Sequence, residues 1–240
     1  MLEPRKRLLA LMARASSPLV PPRAWSRGRG PTRHVVDWLA ASHLGLAVMA
    51  LVVGVGSGLA AAGFRELIYF VTWIFTGRQT FGQQGHAASL HLPFLGVWFV
   101  LIVPVVAGAI YGPLIQRFAR EARGHGVPEV MLAVAENGGH IRPPVTVVKA
   151  LASALCIGGG GSVGREGPIV QIGSALASTL GQLVRMSEGR LRVIVACGAA
   201  GGISATFNAP VTGMFFGFEI VLKEFSLDAL AATILSAVSA

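Results

Sequence analysis

The sequence has few charged residues, and this sets it apart from soluble enzymes and binding domains. Asp, Glu, Lys and Arg make up only 13% of its 240 residues, whereas a soluble domain carries about 25%. Hydrophobic residues account for 53%, and the mean hydropathy is +0.64. This composition is typical of an integral membrane protein. A soluble, all-helical core protein is the alternative, but it would not explain so many apolar runs in succession.

Cysteine is also scarce, and the signatures of nucleotide-using enzymes are missing or out of context. Cys156 and Cys197 both lie within apolar segments, so we expect both to be buried, unpaired and without a chemical role. No Gly-Lys-Ser or Gly-Lys-Thr marks a P-loop. Residues 159–164 fit G-x-G-x-x-G, but helix-like apolar runs flank them in place of a β-strand. We therefore predict that the chain is not an enzyme and has no cofactor and no metal.

Residues 1–37 form a polar, basic segment that contains several prolines. Cytoplasmic segments next to membrane spans carry an excess of Lys and Arg, so we predict a cytoplasmic N-terminus, followed by a transmembrane domain over 38–240. A transit peptide or a nucleic-acid-binding arm is the alternative for this segment. Eight basic residues and two acids lie here: Arg5, Lys6, Arg7, Arg14, Arg23, Arg27, Arg29 and Arg33, with Glu3 and Asp37.

Two long apolar stretches come first in the predicted membrane domain. The pattern over 38–76 predicts one helix that is too long for a straight crossing, so it is tilted or projects from the bilayer. A polar loop at 77–91 and a second span at about 95–114 follow. A mostly basic cluster then returns the chain to the cytoplasm; it consists of Arg117, Arg120, Glu121 and Arg123.

The apolar segments become shorter after this cluster. Several are below the roughly 20 residues that a straight helical crossing needs. Broken helices at membrane depth are tolerated where protein or a water-filled path covers the backbone, and in transporters their positive ends face an anion. We therefore predict an all-α, polytopic membrane protein with long tilted helices and broken half-helices. The short segments are 127–135, 145–157, 169–184, 191–206, 211–222 and 227–240.

Three of the breaks share one design, in which Gly or Asn is followed by Pro at a predicted helix start. They are 124–128, 164–168 and 207–210. The first N–H groups of a helix lack internal partners, and the helix dipole is positive at that end. A glycine-rich loop that leads into such a start is therefore an anion site. Three breaks in one membrane protein predict that several helix starts meet at one place.

Glu166 lies in the second break, between segments that are almost free of charge. An ionisable side chain at membrane depth costs about 2.5–3.5 kcal/mol even on the lenient scales, so it is a functional candidate. Its carboxylate can occupy the place of an anion among N–H donors, and when protonated it can swing away. This predicts a gate that responds to pH and to anion concentration. The structural alternative is an ion pair with Arg165 or Arg142 that holds the loop.

The motifs GHGVPEV, GREGPIVQIGSALAS and GISATFNAPVTGMFFGFE occur in this order and spacing. In these features the chain resembles the CLC family of chloride channels and chloride/proton antiporters, particularly the bacterial members, over about 35–240. The resemblance implies a plasma (inner) membrane homodimer with one anion path per subunit and two inverted halves in each. Its partners are then the lipid bilayer and chloride, with no nucleic acid. We expect the chain to be the N-terminal half, and so a fragment.

The resemblance also implies site residues. Glu166 matches the gating glutamate of the family, and no residue is catalytic. The first break matches the loop that lines the central and inner part of the path, and the second matches part of the outer anion site. The implied anion-binding residues are Gly124, His125, Gly126, Val127 and Pro128, then Gly164, Arg165, Glu166 and Gly167.

Two positions depart from the pattern of the family. His125 replaces a serine whose hydroxyl coordinates chloride, although an imidazole N–H can also donate to an anion. The second of two consecutive glutamates, which takes protons from the cytoplasm in antiporters, is Ile220 here, after Glu219. We therefore predict chloride transport that is more channel-like than proton-coupled. The alternatives are an antiporter, with a proton path through Glu219, and a fragment or scaffold that does not transport.

Overall fold

The structure is a computed structural model that describes residues 38–40, 42–78, 98–119, 122–222 and 226–240. Within these residues the regular structure is helical, with no β-strand, so the all-α prediction is confirmed. Some predictions concern residues outside this set and stay predictions. They are the basic segment 1–37, most of the loop at 77–91, the start of the second span at 95, and the charges of Arg120 and Glu121.

Proline and glycine mark most helix boundaries, since proline is favoured in the first turn and cannot donate an N–H there. Pro144 and Pro210 begin helices, and Pro128 is the second residue of another. The helices of the described residues are α1 His43–Thr76, α2 Phe99–Phe118, α3 Val127–Glu136, α4 Pro144–Gly158, α5 Glu166–Leu183, α6 Glu188–Phe207, α7 Pro210–Phe215 with a π-helical continuation at Phe216–Leu222, and α8 Leu227–Ser239.

The predicted bounds differ from these by more than a few residues at two ends. α1 begins at His43, because the Ser42 hydroxyl accepts a hydrogen bond of 2.8 Å from Gly45 N–H and caps the helix there. α2 continues through Pro113 to Phe118 and so includes Arg117, where the prediction ended at 114. Proline inside a membrane helix is tolerated when neighbouring groups satisfy the freed carbonyl.

α5 and α6 form an antiparallel pair at the centre of the described helices. Gly173 and Gly198 face each other so closely that a β-carbon on either would overlap the carbonyl oxygen of the other. The Ser174 hydroxyl also donates to the Val195 carbonyl at 3.1 Å. Small residues that allow backbones to approach are typical of helix packing in membranes. α5 therefore has a fixed position, and its first turn is held with it.

α1 and α6 run side by side in the same direction. Near their starts, the Arg190 guanidinium donates to the Ser42 carbonyl at 2.8 Å. Further along both helices, a β-carbon on Gly201 would stand 3.2 Å from the Ser57 β-carbon. The end of α6 therefore lies at the level of the second half of α1, which includes Arg65.

The two cysteines lie at different depths. Cys197 on α6 is fully buried, and its carbonyl accepts a hydrogen bond of 2.8 Å from Ser236 of α8. Cys156 is only partly buried, which corrects the prediction that both are buried. The reason is its place in the last turns of α4, beside the glycine turn at 159–161, where its carbonyl accepts from Gly161 N–H at 2.9 Å. Neither cysteine forms a disulfide.

α3 is attached to α5 at both of its ends. The loop after α3 is fixed by Ser178 of α5, whose hydroxyl donates to Gly139 at 2.7 Å and accepts from Ile141 at 2.9 Å. Gln182, one turn later, donates to the Ile141 carbonyl at 3.0 Å. α3 therefore runs in the same direction as α5, and the first turns of both helices face the same point.

Three of the described helices are long and apolar enough to cross a membrane: α1, α2 and α6. α1 has 34 residues, which makes it about 51 Å long at 1.5 Å per residue. This exceeds the roughly 30 Å of the hydrocarbon core. α3, α4, α7 and α8 are shorter than a straight crossing requires, as predicted for half-helices.

Candidate anion site at the helix starts

The starts of α3 and α5 touch each other through glycine. Gly126, which precedes α3, has a φ of 110°, and a β-carbon there would overlap the Gly167 carbonyl oxygen. A β-carbon on Gly167, in the first turn of α5, would overlap the His125 carbonyl oxygen and would stand 2.8 Å from His125 Nδ1. Only glycine permits this φ and this approach without strain. The structure thus brings the first two predicted breaks into direct contact.

A buried lysine holds the loop in front of α3. Lys149 of α4 is only 4% exposed, and it is the one charged side chain classed as buried among the described residues. Its ammonium donates to the Gly124 carbonyl at 2.7 Å and to the Ala122 carbonyl at 3.1 Å. A buried charge without partners destabilises a protein by several kcal/mol. The loop and Lys149 therefore stabilise each other.

This contact sets the direction of the peptide groups in the loop. The described chain contains no cis peptide bond, and in a trans peptide the C=O and the following N–H point to opposite sides. Because the Gly124 carbonyl points to Lys149, the His125 N–H points away from it. Lys149 thus binds the acceptors of the loop and leaves the next donor for another ligand.

Glu129 caps the same loop. Its Oε2 accepts a hydrogen bond of 2.8 Å from Gly126 N–H, and its carboxylate also lies against the α-carbon of Gly124. An acid three residues after the cap is half of a capping box and is favoured by the helix dipole. The N–H of Gly126, one of the predicted anion donors, is therefore already taken.

Glu166 is the first residue of α5 and its side chain is exposed. Its carboxylate turns back onto Gly164, so closely that a β-carbon on Gly164 would overlap it. Within the described residues it forms no ion pair with Arg165 or Arg142. The carboxylate therefore lies over Gly164 of its own loop and is not held by a cation.

The remaining predicted residues lie around this contact in different ways. The Val127 side chain packs partly buried against the hydrophobic core, and Pro128 is exposed on another side of α3. The Arg165 side chain lines a cavity of about 320 Å³. Asn208 and Pro210, from the third break, line the same cavity as Arg165.

Glu219 does not reach the start of α5. It lies exposed on the π-helical segment, which packs on α6 at Ala196 through Gly217. Ile169 of α5 lies against Gly202 of α6, six residues further along. At 1.5 Å per residue this separates the two levels by about 9 Å along α6.

Sequence reasoning missed Lys149 and Glu129 as parts of the site. A lone lysine in the apolar segment 145–157 is a signal that could have found the first, since charges inside membrane segments are rarely idle. Glu129 follows Gly126 by three residues, which is the spacing of a capping residue. The described residues contain no group of three or more His, Cys, Asp or Glu that could hold a metal ion.

Comparison with protein families decides the assignment. The family model for voltage-gated chloride channels matches residues 107–240, which is more than half of the chain. The chain belongs to the CLC family. This membership, together with three apolar helices of spanning length, makes it an integral membrane protein.

Bacterial CLC proteins resemble the chain over most of its length. It is 33% identical over 200 residues to a putative chloride channel protein, ClcB-like, of Ralstonia nicotianae. It is 31% identical over 195 residues to the voltage-gated ClC-type chloride channel ClcB of Citrobacter koseri. These matches cover 81% and 80% of this chain and 45% of each relative. The chain thus spans about 45% of the length of these relatives.

Solved CLC structures have the same fold. A slow cyanobacterial Cl⁻/H⁺ antiporter superimposes with a TM-score of 0.64 at 23% identity, over 81% of this chain and 44% of that one. A CLC-type fluoride/proton antiporter superimposes with a TM-score of 0.61 at 25% identity, over 81% and 45%. The CLC arrangement of long and broken helices is therefore confirmed for this chain.

Proposed function

We propose that the chain forms a CLC-type path for chloride or a similar monovalent anion, with Glu166 as its gate. The first turn of α5 and the His125 N–H in the loop before α3 supply the donors, and the Glu166 carboxylate competes with the anion for them. Protonation of Glu166 removes its charge and frees the site. The proposed setting is the plasma membrane, with the N-terminus in the cytoplasm and two copies of the protein forming a homodimer.

One observation carries this proposal: the starts of α3 and α5 touch at Gly126 and Gly167, with Glu166 folded over Gly164 beside them. Two helix dipoles then direct their positive ends to one point. Such an end is worth about 0.3–1 kcal/mol to an anion at an exposed site and up to about 2 kcal/mol when partly buried. Backbone N–H groups add hydrogen bonds to charge, which are about twice as strong as neutral ones.

Transport that is more channel-like than proton-coupled is supported by the inner side of the path. Ile220 is apolar and cannot carry a proton. The π-helical segment that contains Glu219 packs on α6 at Ala196, about 9 Å along the α6 axis from the level of Ile169 of α5. A proton that moved from Glu219 to Glu166 would need a chain of water or further side chains. We therefore place proton-coupled antiport through Glu219 second.

The first experiment replaces Glu166 by Gln and follows chloride efflux from liposomes between pH 4.5 and 7.5. We expect the flux of the unchanged protein to rise as the pH falls, because protonation opens the gate. The flux of the Glu166→Gln variant should stay high and lose most of its pH dependence, since its amide carries no charge; at most about a two- to fivefold rise on acidification should remain. Glu188→Gln is a matched control, because Glu188 is also in the first turn of a helix, α6, but lies outside the site.

Two results would count against the proposal. An unchanged pH profile in Glu166→Gln, with Glu188→Gln also unchanged, would remove Glu166 as the gate. A protein that releases no labelled chloride under any condition would instead support a scaffold that does not transport. Proton movement is recorded in the same liposomes with a pH electrode; a fixed ratio of protons to chloride would replace the channel-like assignment by antiport.

A further inference from the structure

A buried serine of α5 joins the far end of α3 to α5. The hydroxyl of Ser178, which is fully buried, donates to the Gly139 carbonyl at 2.7 Å. It also accepts hydrogen bonds from Ile141 N–H at 2.9 Å and from Gln182 Nε2 at 2.8 Å. A serine hydroxyl has one hydrogen to donate and two lone pairs, so its bonding capacity is fully used. Two of the three partners belong to the loop that follows α3.

This use of the hydroxyl is unusual for a serine inside a helix. Serine and threonine in helices commonly donate to a carbonyl of their own helix, four residues earlier. Thr179, the next residue, does this with the Ala175 carbonyl at 2.8 Å. Ser178 instead donates to a residue that lies 39 positions earlier and outside α5. Its bond therefore fixes the distance between α5 and the loop after α3.

The loop after α3 transmits this attachment to the helix. The Gly139 N–H donates to the Ala133 carbonyl of α3 at 2.8 Å, and the Asn137 N–H donates to the same carbonyl at 3.1 Å. Gly138 and Gly139 have positive φ values of 59° and 84°, which glycine adopts without strain and which turn the chain back onto the end of α3. A movement of Gly139 away from α5 would therefore move the last turn of α3 with it.

α3 is thus attached to α5 at two points about one helix length apart. Its 10 residues make it about 15 Å long, with the contact of Gly126 and Gly167 at its start and the bonds to Ser178 at its end. Between these points α3 packs through apolar side chains such as Val130. Apolar contacts are not directional, so they permit a helix to tilt. The tilt of α3 therefore depends on the hydrogen bonds at its end.

We propose that Ser178 is a positioning residue for the anion site and that Gln182 supports it. By holding the end of α3, Ser178 keeps the start of α3, with the His125 N–H in front of it, directed at the point where α5 begins. Ser178 does not touch the site, because it lies 11 residues after Gly167 on α5, which is about 16 Å of helix. This inference rests on the proposed function, since it concerns the affinity of the same site.

The main test compares Ser178→Ala with Ser174→Ala by isothermal titration of chloride into the purified protein. Ser174 is an equally buried serine one turn earlier on α5, but its hydroxyl donates to the Val195 carbonyl of α6. Both variants lose one buried hydroxyl. We expect Ser178→Ala to raise the dissociation constant for chloride about two- to fivefold, which is the contribution of one helix end to anion binding. Ser174→Ala should leave the dissociation constant unchanged.

Hydrogen exchange shows whether α3 itself has been released. In Ser178→Ala the amides of α3 should exchange faster than in the unchanged protein, because the helix is no longer held at both ends. In Ser174→Ala the exchange in α3 should stay the same. Neither exchange nor chloride binding requires a titrating gate. If Glu166→Gln failed to alter the pH dependence of flux, the proposed gate would be wrong, while the differences between Ser178→Ala and Ser174→Ala would remain.

Gln182→Met is a second variant, for the case that Ser178→Ala does not fold. It removes the amide that donates to both the Ser178 hydroxyl and the Ile141 carbonyl, and the Gln182 side chain is only partly buried. It should raise the dissociation constant by a smaller factor than Ser178→Ala. An unchanged dissociation constant in the folded variants, an equal rise in Ser174→Ala, or unchanged exchange in α3 would each overturn the positioning role of Ser178.

Discussion

The two loops that meet at the anion site differ in how firmly they are held. The loop before α3 is fixed by a buried ammonium that binds two of its carbonyls and by a carboxylate that caps Gly126. The loop before α5 is exposed from Gly160 to Glu166 apart from the half-buried Gly161, and Glu166 forms no ion pair there among the described residues. The loop before α3 is therefore the rigid wall of the candidate site, and the loop before α5 is the wall that carries the proposed gate, Glu166.

This difference assigns separate tasks to the two loops. A rigid set of donors needs no rearrangement when an anion arrives, so less of the binding free energy is lost to ordering. A gate needs two positions of similar free energy, and an exposed carboxylate without a counter-charge is free to leave. We expect substitutions in the first loop to change stability and affinity, and substitutions at Glu166 to change gating.

The largest effect is expected from Lys149→Met, which removes the ammonium from the first loop. The Ala122 and Gly124 carbonyls then lose their donor in a buried place, which costs about 1–3 kcal/mol for each unsatisfied group. We expect a loss of about 3 kcal/mol in the free energy of unfolding in detergent and a weaker apparent affinity for chloride. Lys149→Arg should lose less, because a guanidinium also donates to carbonyl oxygens.

Arg117→Met is the control for this change, since Arg117 is an exposed cation on another helix. It should leave the free energy of unfolding and the apparent affinity within error of the unchanged protein. If Lys149→Met proved as stable as Arg117→Met and bound chloride equally well, the first loop would not depend on its buried lysine. Lys149 would then not explain why the loop before α3 is held more firmly than the loop before α5.

A smaller loss in the free energy of unfolding is expected from Gly167→Ala, which places a methyl group between the two loops. The new β-carbon would meet the His125 carbonyl oxygen, so one helix start has to shift. Overpacking of this kind costs about 1–3 kcal/mol. Gly63→Ala in α1 is the matched control, because a β-carbon there meets no atom within 4 Å. That change should be neutral or stabilise the helix by up to about 1 kcal/mol.

A measurement of chloride flux distinguishes a role of the Gly126–Gly167 contact in transport from a general loss of stability. If Gly167→Ala had the same free energy of unfolding as Gly63→Ala and transported chloride at the same rate, the close approach of α3 and α5 would have no part in the site. A variant that stays folded but transports slowly would locate the defect in the path itself. Unfolding is followed by loss of helical circular dichroism, and transport by chloride efflux from liposomes.

The fold could be predicted from the sequence because proline and glycine interrupt the apolar segments at regular places. Pro128, Pro144 and Pro210 mark helix starts within one residue. The contact of Lys149 with Gly124 spans 25 residues, and no local pattern records it. The π-helical segment at Phe216–Leu222 was likewise not predicted, since its residues would fit an α-helix equally well.

The smallest effect on stability, and the sharpest test of the two walls, comes from His125. Its side chain is exposed, so His125→Ser should change the free energy of unfolding by less than about 0.5 kcal/mol. Its Nδ1 nevertheless lies close to Gly167, so the His125 imidazole extends from the rigid wall to the start of α5. Histidine is the residue type that ordinarily changes charge near neutral pH, so a substitution of His125 tests whether the rigid wall adds to the pH dependence of chloride flux.

The variant Glu166→Gln isolates the contribution of the rigid wall. With the gate neutral at every pH, a remaining rise of chloride flux on acidification has to come from another group at the site, and His125 is our candidate. Adding His125→Ser to Glu166→Gln should therefore abolish that remainder, which we expect to be two- to fivefold, a gain of about 0.4–1 kcal/mol as for one helix end. Adding His140→Ser, an exposed histidine after α3, should preserve it. A remainder that survives His125→Ser would mean that a group other than His125 causes it.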